Sequence, residues 1–534
     1  MSEFPRILPF GDRALVVEFE DVLSPEVNAR VRALALRLDA LPGVVETVPT
    51  FRSLLVVIDP AVSSQAIADD ALRLAGTTTA TAAGATRTVE VPVVYGGEYG
   101  PDLPDVAAAT GLTAEEVVRI HSGREYLVYM LGFAPGFPYI GPLDQRLRVP
   151  RLDSPRVRVP AGSVAVADVL TAIYPLQTPG GWRLIGRTPL RTYDPTDADP
   201  FFFHPGDRVR FVPVEDAAFS VGALDHPRPI HAGRHPVFEV LEPGLYSTLQ
   251  DAGRPGFRSR GLPASGAMDP LALQIANAVV GNPQGAAALE VTAPGPVLRA
   301  LETATVAVAG ADLSATIDGT AIEPAVPVAI RPGQTMRFGF PRRGVWAYVA
   351  VAGGIRVPMV LGSASTYVPG GIGGMGGRRL IAGDILGRGE GETGSAALTT
   401  PSLVLPVKEV TIRCVLGPQA DWFTADAGET LRTAAYRVTV RSDRAGIRLE
   451  GPGLQHRGRA DILSDGMLPG AIQVPGGGQP IVIMPDGPTT GGYPKIGVVV
   501  SADLRLLAQA QPGTRIRFVE TTVEEAHSHD DAAR

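Results

Sequence analysis

The spacing of apolar positions changes near residue 80 and divides the chain there. Before that point, helical and strand periods alternate. Ala14–Phe19 reads as a strand, and Ser24 is placed as an N-cap ahead of Val27, Val31, Leu34, Leu36 and Leu38, which share one helical face. Strands around Val44–Val48 and Leu54–Ile58 precede a second helical pattern over Ser64–Leu74. These elements predict a small βαββα domain over residues 1–80, followed by an Ala/Thr-rich linker at Thr77–Ala85.

Beyond the linker the pattern becomes short alternating strands broken by Pro and Gly. One phrase recurs: HPGDRVRFVPV from His204, RPGQTMRFGF from Arg331 and QPGTRIRFVE from Gln511. A Pro-Gly turn feeding a strand that ends in Arg-Phe suits the closing hairpin of a barrel, and three copies predict three related β-domains. The expected boundaries are 86–215, 237–395 and 396–520, with a linker at 216–236 and a disordered tail at 521–534. The fold class is therefore mainly β with an α+β N-terminal domain, a small βαββα domain followed by three β-barrels. His226, His231 and His235 lie in the linker without a helix or an acidic companion, so no metal site is assigned to them.

Composition sharpens this picture in a few places. With 62 Gly and 49 Pro and no Gly-X-Y period, many short strands joined by tight turns are favoured. A formal charge of -7 without a basic, aromatic-interleaved stripe argues against a nucleic-acid partner. The single cysteine, Cys414, excludes an intrachain disulfide, and no apolar run reaches membrane-spanning length. A cytoplasmic protein with no membrane partner is expected.

Lys408 and Lys495 are the only lysines, all other basic side chains being arginine. No Gly-Lys dipeptide exists, which excludes a Walker A loop. Neither lysine is flanked by methionine, so no covalent biotin is expected on this chain. No G-x-S-x-G elbow is present, and an independent serine hydrolase is disfavoured. The string Gly371-Ile372-Gly373-Gly374-Met375-Gly376 matches G-x-G-x-x-G but lacks a following helical pattern, which rejects a dinucleotide site. It is either a hairpin or a backbone nest that holds an anion with Arg378 and Arg379.

The densest phrases carry a family resemblance. In the first half these are Gly132-Phe133, Pro135-Gly136-Phe137, Tyr139, Pro155-Arg156, Pro160-Ala161-Gly162-Ser163, Tyr174-Pro175, Pro179-Gly180-Gly181-Trp182 and Ile185-Gly186-Arg187-Thr188-Pro189. In the second they are Gln250-Asp251, Gly253-Arg254, Gly266, Asp269, Ala276-Asn277, Gly281-Asn282, Leu289-Glu290, Ser442-Asp443-Arg444 and Thr489-Thr490-Gly491-Gly492-Tyr493-Pro494-Lys495. The first set resembles allophanate hydrolase subunit 1, or Kip inhibitor, and the second resembles allophanate hydrolase subunit 2, or Kip antagonist. The chain thus resembles a fused Kip-type protein over roughly Pro9 to Phe518. It departs from the family at Asp486-Gly487-Pro488, where a glutamine ordinarily precedes Thr-Thr-Gly-Gly-Tyr.

The resemblance implies cyclophilin-like barrels and the role of the B and C subunits of 5-oxoprolinase, acting with a separate A subunit on a small amide substrate. ATP with Mg²⁺ would phosphorylate the lactam oxygen of 5-oxo-L-proline, making it a leaving group before water attacks the carbon. Two alternatives stay open: a biotin-dependent carboxyltransferase of urea-carboxylase type and a sensor-kinase regulator. Self-association is compatible with all three.

With lysine so scarce, arginine forks must supply most of the cations for phosphate or carboxylate. Arg156, Arg158, Arg187, Arg254 and Lys495 are the candidates, joined by Thr188 and Asn277 from the matching phrases. Asp251, Asp269, Glu290 and Asp486 are candidate catalytic bases or ligands, or else turn and barrel-corner acceptors. Ser163 and Thr490 either donate to phosphate or cap their own backbone. Tyr139, Tyr174 and Trp182 either wall the substrate or pack the barrel.

Overall fold

The computed structural model describes residues 4–80, 87–215, 227–233, 235–389, 403 and 405–533, the side chains of 529–533 excepted. The N-terminal domain has an antiparallel sheet ordered Arg6–Pro9, Ala14–Glu18, Ser53–Ile58, Val44–Pro49. Arg6–Pro9 is a strand beyond the expected βαββα pattern. Helices Pro25–Leu38 and Ser64–Thr77 cover one face, where Leu15, Val17, Leu54 and Val56 pack with Val31, Leu34 and Ile67. The residues of opposite parity, Ala14, Val16 and Leu55, pack with Met467, Ile483 and Val498 of the C-terminal domain. Burial on both faces explains why these strands read as unbroken apolar runs.

Seven strands close a barrel in the next domain: Leu170–Ile173, Pro138–Gly141, Glu125–Leu131, Arg208–Pro213, Thr88–Tyr95, Arg183–Arg187 and Ser163–Ala167, in that order around it. A second closed barrel runs Glu409–Leu416, Lys495–Val499, Ala471–Gln473, Ile481–Ile483, Gly446–Glu450, Ala435–Val438, Arg515–Glu520. In both, the strand of the repeated phrase pairs parallel with the barrel's first strand, Arg208–Pro213 with Thr88–Tyr95 and Arg515–Glu520 with Glu409–Leu416. Closure is therefore a parallel seam and not the expected hairpin.

The expectation of a third barrel is also corrected. Residues 235–388 form two open sheets of six and five strands. Val237, Leu298 and Leu386 of one sheet share a core with Leu249, Val291, Val308 and Val349 of the other. Here the repeated phrase yields only the strand Thr335–Arg337, which pairs antiparallel with Val297–Ala300 and Thr316–Ile317 and never reaches the region's first strand, His235–Glu242.

Of the expected boundaries, residues 81–85 of the Thr77–Ala85 linker, residues 216–226 of the 216–236 linker with His226, and the junction between 395 and 396 lie outside the described residues, while Thr77 ends the helix Ser64–Thr77. The described remainder of the 216–236 linker, residues 227–233 and 235–236, is docked on the sandwich. Ile230 N–H donates to Asp384 Oδ1 at 2.8 Å, and Ala232 is buried. The tail is helical over Val523–Ala533, where disorder was expected. Ala526 packs against Val415 and Val500, and His527 Nε2 donates to the Asp12 carbonyl at 2.7 Å. Among the described residues no helix is long and apolar enough to cross a membrane.

Candidate functional site

The phrase at Gly132–Phe137 meets two segments of the second half, around Arg260-Gly261 and Thr489-Thr490, where the two halves of the chain touch. Phe133 N–H donates to Thr490 Oγ1 at 3.0 Å, and Gly136 N–H donates to the Arg260 carbonyl at 2.9 Å. A Cβ on Gly132 would lie 2.1 Å from Thr490 Oγ1, and one on Gly261 would lie 2.2 Å from the Ala134 carbonyl oxygen. Glycine at these points is set by close backbone approach between domains.

A cleft of about 510 Å³ opens beside this junction, lined from both halves of the chain. The first half supplies Arg52, Arg148, Arg151, Asp168 and Trp182; the second supplies Trp422, Arg459, Asp461 and Ser464. Arg52 is occupied, with Nη1 3.0 Å from Glu18 and 3.3 Å from Asp21. Arg148, Arg151 and Arg459 are exposed and have no carboxylate partner among the described residues. The Arg151 guanidinium lies 6.0 Å from the Trp182 ring centre. The cleft thus holds three arginine forks without carboxylate partners, one of them over an indole face, beside the lining carboxylates Asp168 and Asp461.

Behind Trp182 stands an aromatic wall. Phe137 meets Tyr139, Tyr174 and Trp182 edge to face at 5.1, 5.2 and 5.9 Å. Tyr139 and Tyr174 thus back the cleft without lining it, and burial pushes the Tyr174 phenol up to about 12.

Beneath the cleft, Ser464 and Arg52 also border a small void with Asp465, Ser53 and Gln419. Asp465 accepts from Lys495 Nζ at 3.3 Å, from Gln419 Nε2 at 3.2 Å and from the Ser53 hydroxyl. Lys495 is 0% exposed. Burial pushes its ammonium below the ordinary lysine value, against the pull of Asp465. Burial likewise pushes the Asp465 carboxyl up, but Lys495, the Ser53 hydroxyl and the Gly466 N–H outweigh it, and the net shift is downward.

The remaining expected site residues lie elsewhere. Arg156 Nη2 donates to Asp102 at 2.5 Å, Arg187 Nε donates to the Ala161 carbonyl at 2.8 Å, and Arg158 faces solvent. Ser163 is buried in its strand, and the Thr188 hydroxyl accepts from Leu190 N–H at 3.2 Å. Asp251 accepts from Ser363 and Ser365 hydroxyls at 2.6 and 2.5 Å and from Ala364 N–H at 2.7 Å. Asp269 caps the helix Pro270–Val279 and accepts from Gln509 at 3.0 Å. Asn277 donates to the Ala286 carbonyl at 2.7 Å. Arg254 is 1% exposed and donates to the Ser365 carbonyl, while its Nη1 has no partner.

Glu290 and Asp486 belong to one buried cluster centred on Arg444. Arg444 Nε and Nη2 bind Asp486 at 2.7 and 3.0 Å, Nη2 reaches the Gly266 carbonyl at 2.7 Å, and Nη1 binds Glu290. Glu290 also accepts from the Tyr348 hydroxyl at 2.7 Å and Met268 N–H at 2.8 Å. Burial pushes Glu290 up, opposed by Arg444. Burial opposes the charge on Arg444, but Asp486 and Glu290 hold it firmly protonated.

In the glycine string, Arg378 is engaged by Asp384 through two 2.8 Å contacts, which removes it from any anion nest. Sequence reasoning missed Arg148, Arg151 and Arg459, which stand in no distinctive phrase, and it quoted Arg444 without giving it a role.

Residues 5–203 match the family described as carboxyltransferase domain, subdomain C and D, and residues 260–520 match carboxyltransferase domain, subdomain A and B. The B subunit of the 5-oxoprolinase of Escherichia coli O157:H7 is 43% identical over 206 residues, spanning 39% of this chain and 94% of that protein. The C subunit of the 5-oxoprolinase of Escherichia coli (strain K12) is 39% identical over 291 residues, spanning 54% of this chain and 93% of that protein. The urea amidolyase of Lachancea kluyveri is 34% identical over 314 residues, 54% of this chain but 17% of that protein. The crystal structure of TTHA0988 superposes with a TM-score of 0.84 at 39% identity, covering 95% of this chain and 99% of that one.

Proposed function

Because this chain belongs to the carboxyltransferase-domain family, in which its two halves match the B and C subunits of 5-oxoprolinase, we propose that it is the fused B–C component of an ATP-dependent 5-oxoprolinase, acting with a separate A subunit. The observation that carries this reading is that near-complete counterparts of both the B and the C subunits lie on one chain and jointly line the arginine cleft.

The chemistry asks for cations around a polyphosphate and around the carboxylate of 5-oxo-L-proline. Arg151 from the first half and Arg459 from the second would take these oxygens, while Trp182 and Trp422 border the amide and limit water. Phosphoryl transfer to the lactam oxygen makes the ring carbon electrophilic; water adds there, the ring C–N bond breaks as the nitrogen takes up a proton, and the acyl phosphate so formed is hydrolysed by a second water to glutamate and phosphate. Among the described residues no three carboxylates, histidines or cysteines converge on a metal position. Mg²⁺ enters the proposal with the polyphosphate, whose oxygens supply much of its ligation. The buried Lys495–Asp465 pair holds the floor of the site in place.

The assay is release of ADP by the purified chain mixed with its A-subunit partner, with and without 5-oxo-L-proline. Stimulation by the lactam is expected; its absence would count against the reading. A second reading, transfer of carboxylate from a biotin on another protein, is favoured by the similarity to urea amidolyase. It requires that a carboxybiotinylated carrier lose its carboxylate in the presence of this chain and an amide.

A further inference from the structure

A different cleft, of about 550 Å³, separates the five-stranded sheet from the C-terminal barrel. Its floor is aromatic: Tyr246 and Trp346 stand edge to face at 6.1 Å, and the Arg379 guanidinium lies 5.3 Å from the Tyr246 ring centre. Its lip is apolar and open to water. Val440 is 85% and Leu245 59% exposed, and Phe340, next to Pro341 of the lining, is 84% exposed. Val440 and Phe340 are the two most exposed large apolar side chains among the described residues.

The segments that form the cleft carry exposed arginines: Arg379 lines it, and Arg343 and Arg441, chain neighbours of lining residues, have no carboxylate partner among the described residues. The lining carboxylate, Asp443, accepts from the backbone of its own turn at Ala445 and Gly446.

Aliphatic side chains held in water over an aromatic floor mark a surface that is covered in use. A small ligand could fill the floor but would leave Val440 and Phe340 wet. A second copy of this chain in a two-fold contact would bring the arginines of these segments toward their own copies. We propose that this cleft docks an acidic chain segment with an apolar anchor residue, contributed by the separate subunit of the proposed oxoprolinase. The assignment rests on that reading for the identity of the partner.

The test is titration of the A subunit onto the full chain, its Val440→Glu variant and its Arg379→Glu variant, with ADP release followed in parallel. Val440→Glu weakens binding by about tenfold or more and Arg379→Glu by a few-fold, the latter fading as salt rises. When the partner is saturating, both variants recover the wild-type rate. Unchanged binding in both variants, or no binding to the wild-type chain, overturns the docking surface. Loss of self-association in place of partner binding also overturns it, by assigning the face to a second copy. If the variants weaken binding while the complex shows no lactam-dependent ADP release, the docking surface stands and the oxoprolinase reading falls.

Discussion

In the first barrel, the wall turned toward the cleft is aromatic, with Phe137, Tyr139, Tyr174 and Trp182 meeting edge to face. The second barrel, with the same strand number and the same parallel closure, buries ions at its borders. Arg444 faces Glu290 of the sandwich, and Lys495 pairs with Asp465, which also bonds Ser53 of the N-terminal domain. Topology therefore does not dictate what an interface is made of. An aromatic wall loses only area and ring contacts when one member is trimmed. An ionic border instead depends on complete partnership, because removing one charge leaves the other buried and unpaired.

The sharpest way to break the comparison is Arg444→Met, which strands Glu290 and Asp486 together. We expect a loss of about 4 to 5 kcal/mol in denaturant unfolding, larger than for any single change in the aromatic wall. Lys495→Met should lose about 3 kcal/mol, since that pair rests on a longer contact.

The same variant should change the acid limb of stability. Asp465 has a folded-state pKa below its unfolded value, so its contribution is complete above the unfolded carboxylate range and disappears as pH falls through the folded value. Without Lys495 the melting temperature should fall less steeply below about pH 4; an unchanged slope would show that Lys495 does not depress Asp465. Arg151→Ala, exposed and without an ion pair, should leave stability unchanged while raising KM for the anionic substrate about tenfold. The smallest effect is expected from Thr490→Val, which leaves Phe133 N–H without its acceptor and should cost about 1 kcal/mol.

The fold was legible where local pattern and tertiary burial agree. Ser24 caps its helix as the sequence indicates, accepting from Glu26 and Val27 N–H. The Arg-Phe phrase marked the last strand of each true barrel, but the copy from Arg331 lies in an open sheet. Closure depends on whether that strand reaches the first one, a long-range pairing that no local phrase records. Helices Ala114–Ser122 and Pro270–Val279 were overlooked despite clear signals, the Thr113–Glu116 capping box and the Asp269-Pro270 start.

The site was legible only in outline. Motif density pointed to the junction of the halves, because close inter-domain approach demands particular Gly, Thr and Asp residues. It did not point to the cleft arginines, whose positions between Arg148 and Arg459 are brought together only by the tertiary fold. Trp182 is the expected residue that lines the cleft itself.

The most direct test compares Arg151→Ala, Arg459→Ala and the wild-type chain for their Michaelis constants toward the lactam and toward ATP in the reconstituted assay. If both halves hold one substrate set in one cleft, each substitution raises the constant for at least one of the same two ligands without lowering the melting temperature. Wild-type constants in either variant would mean that the anion is bound elsewhere.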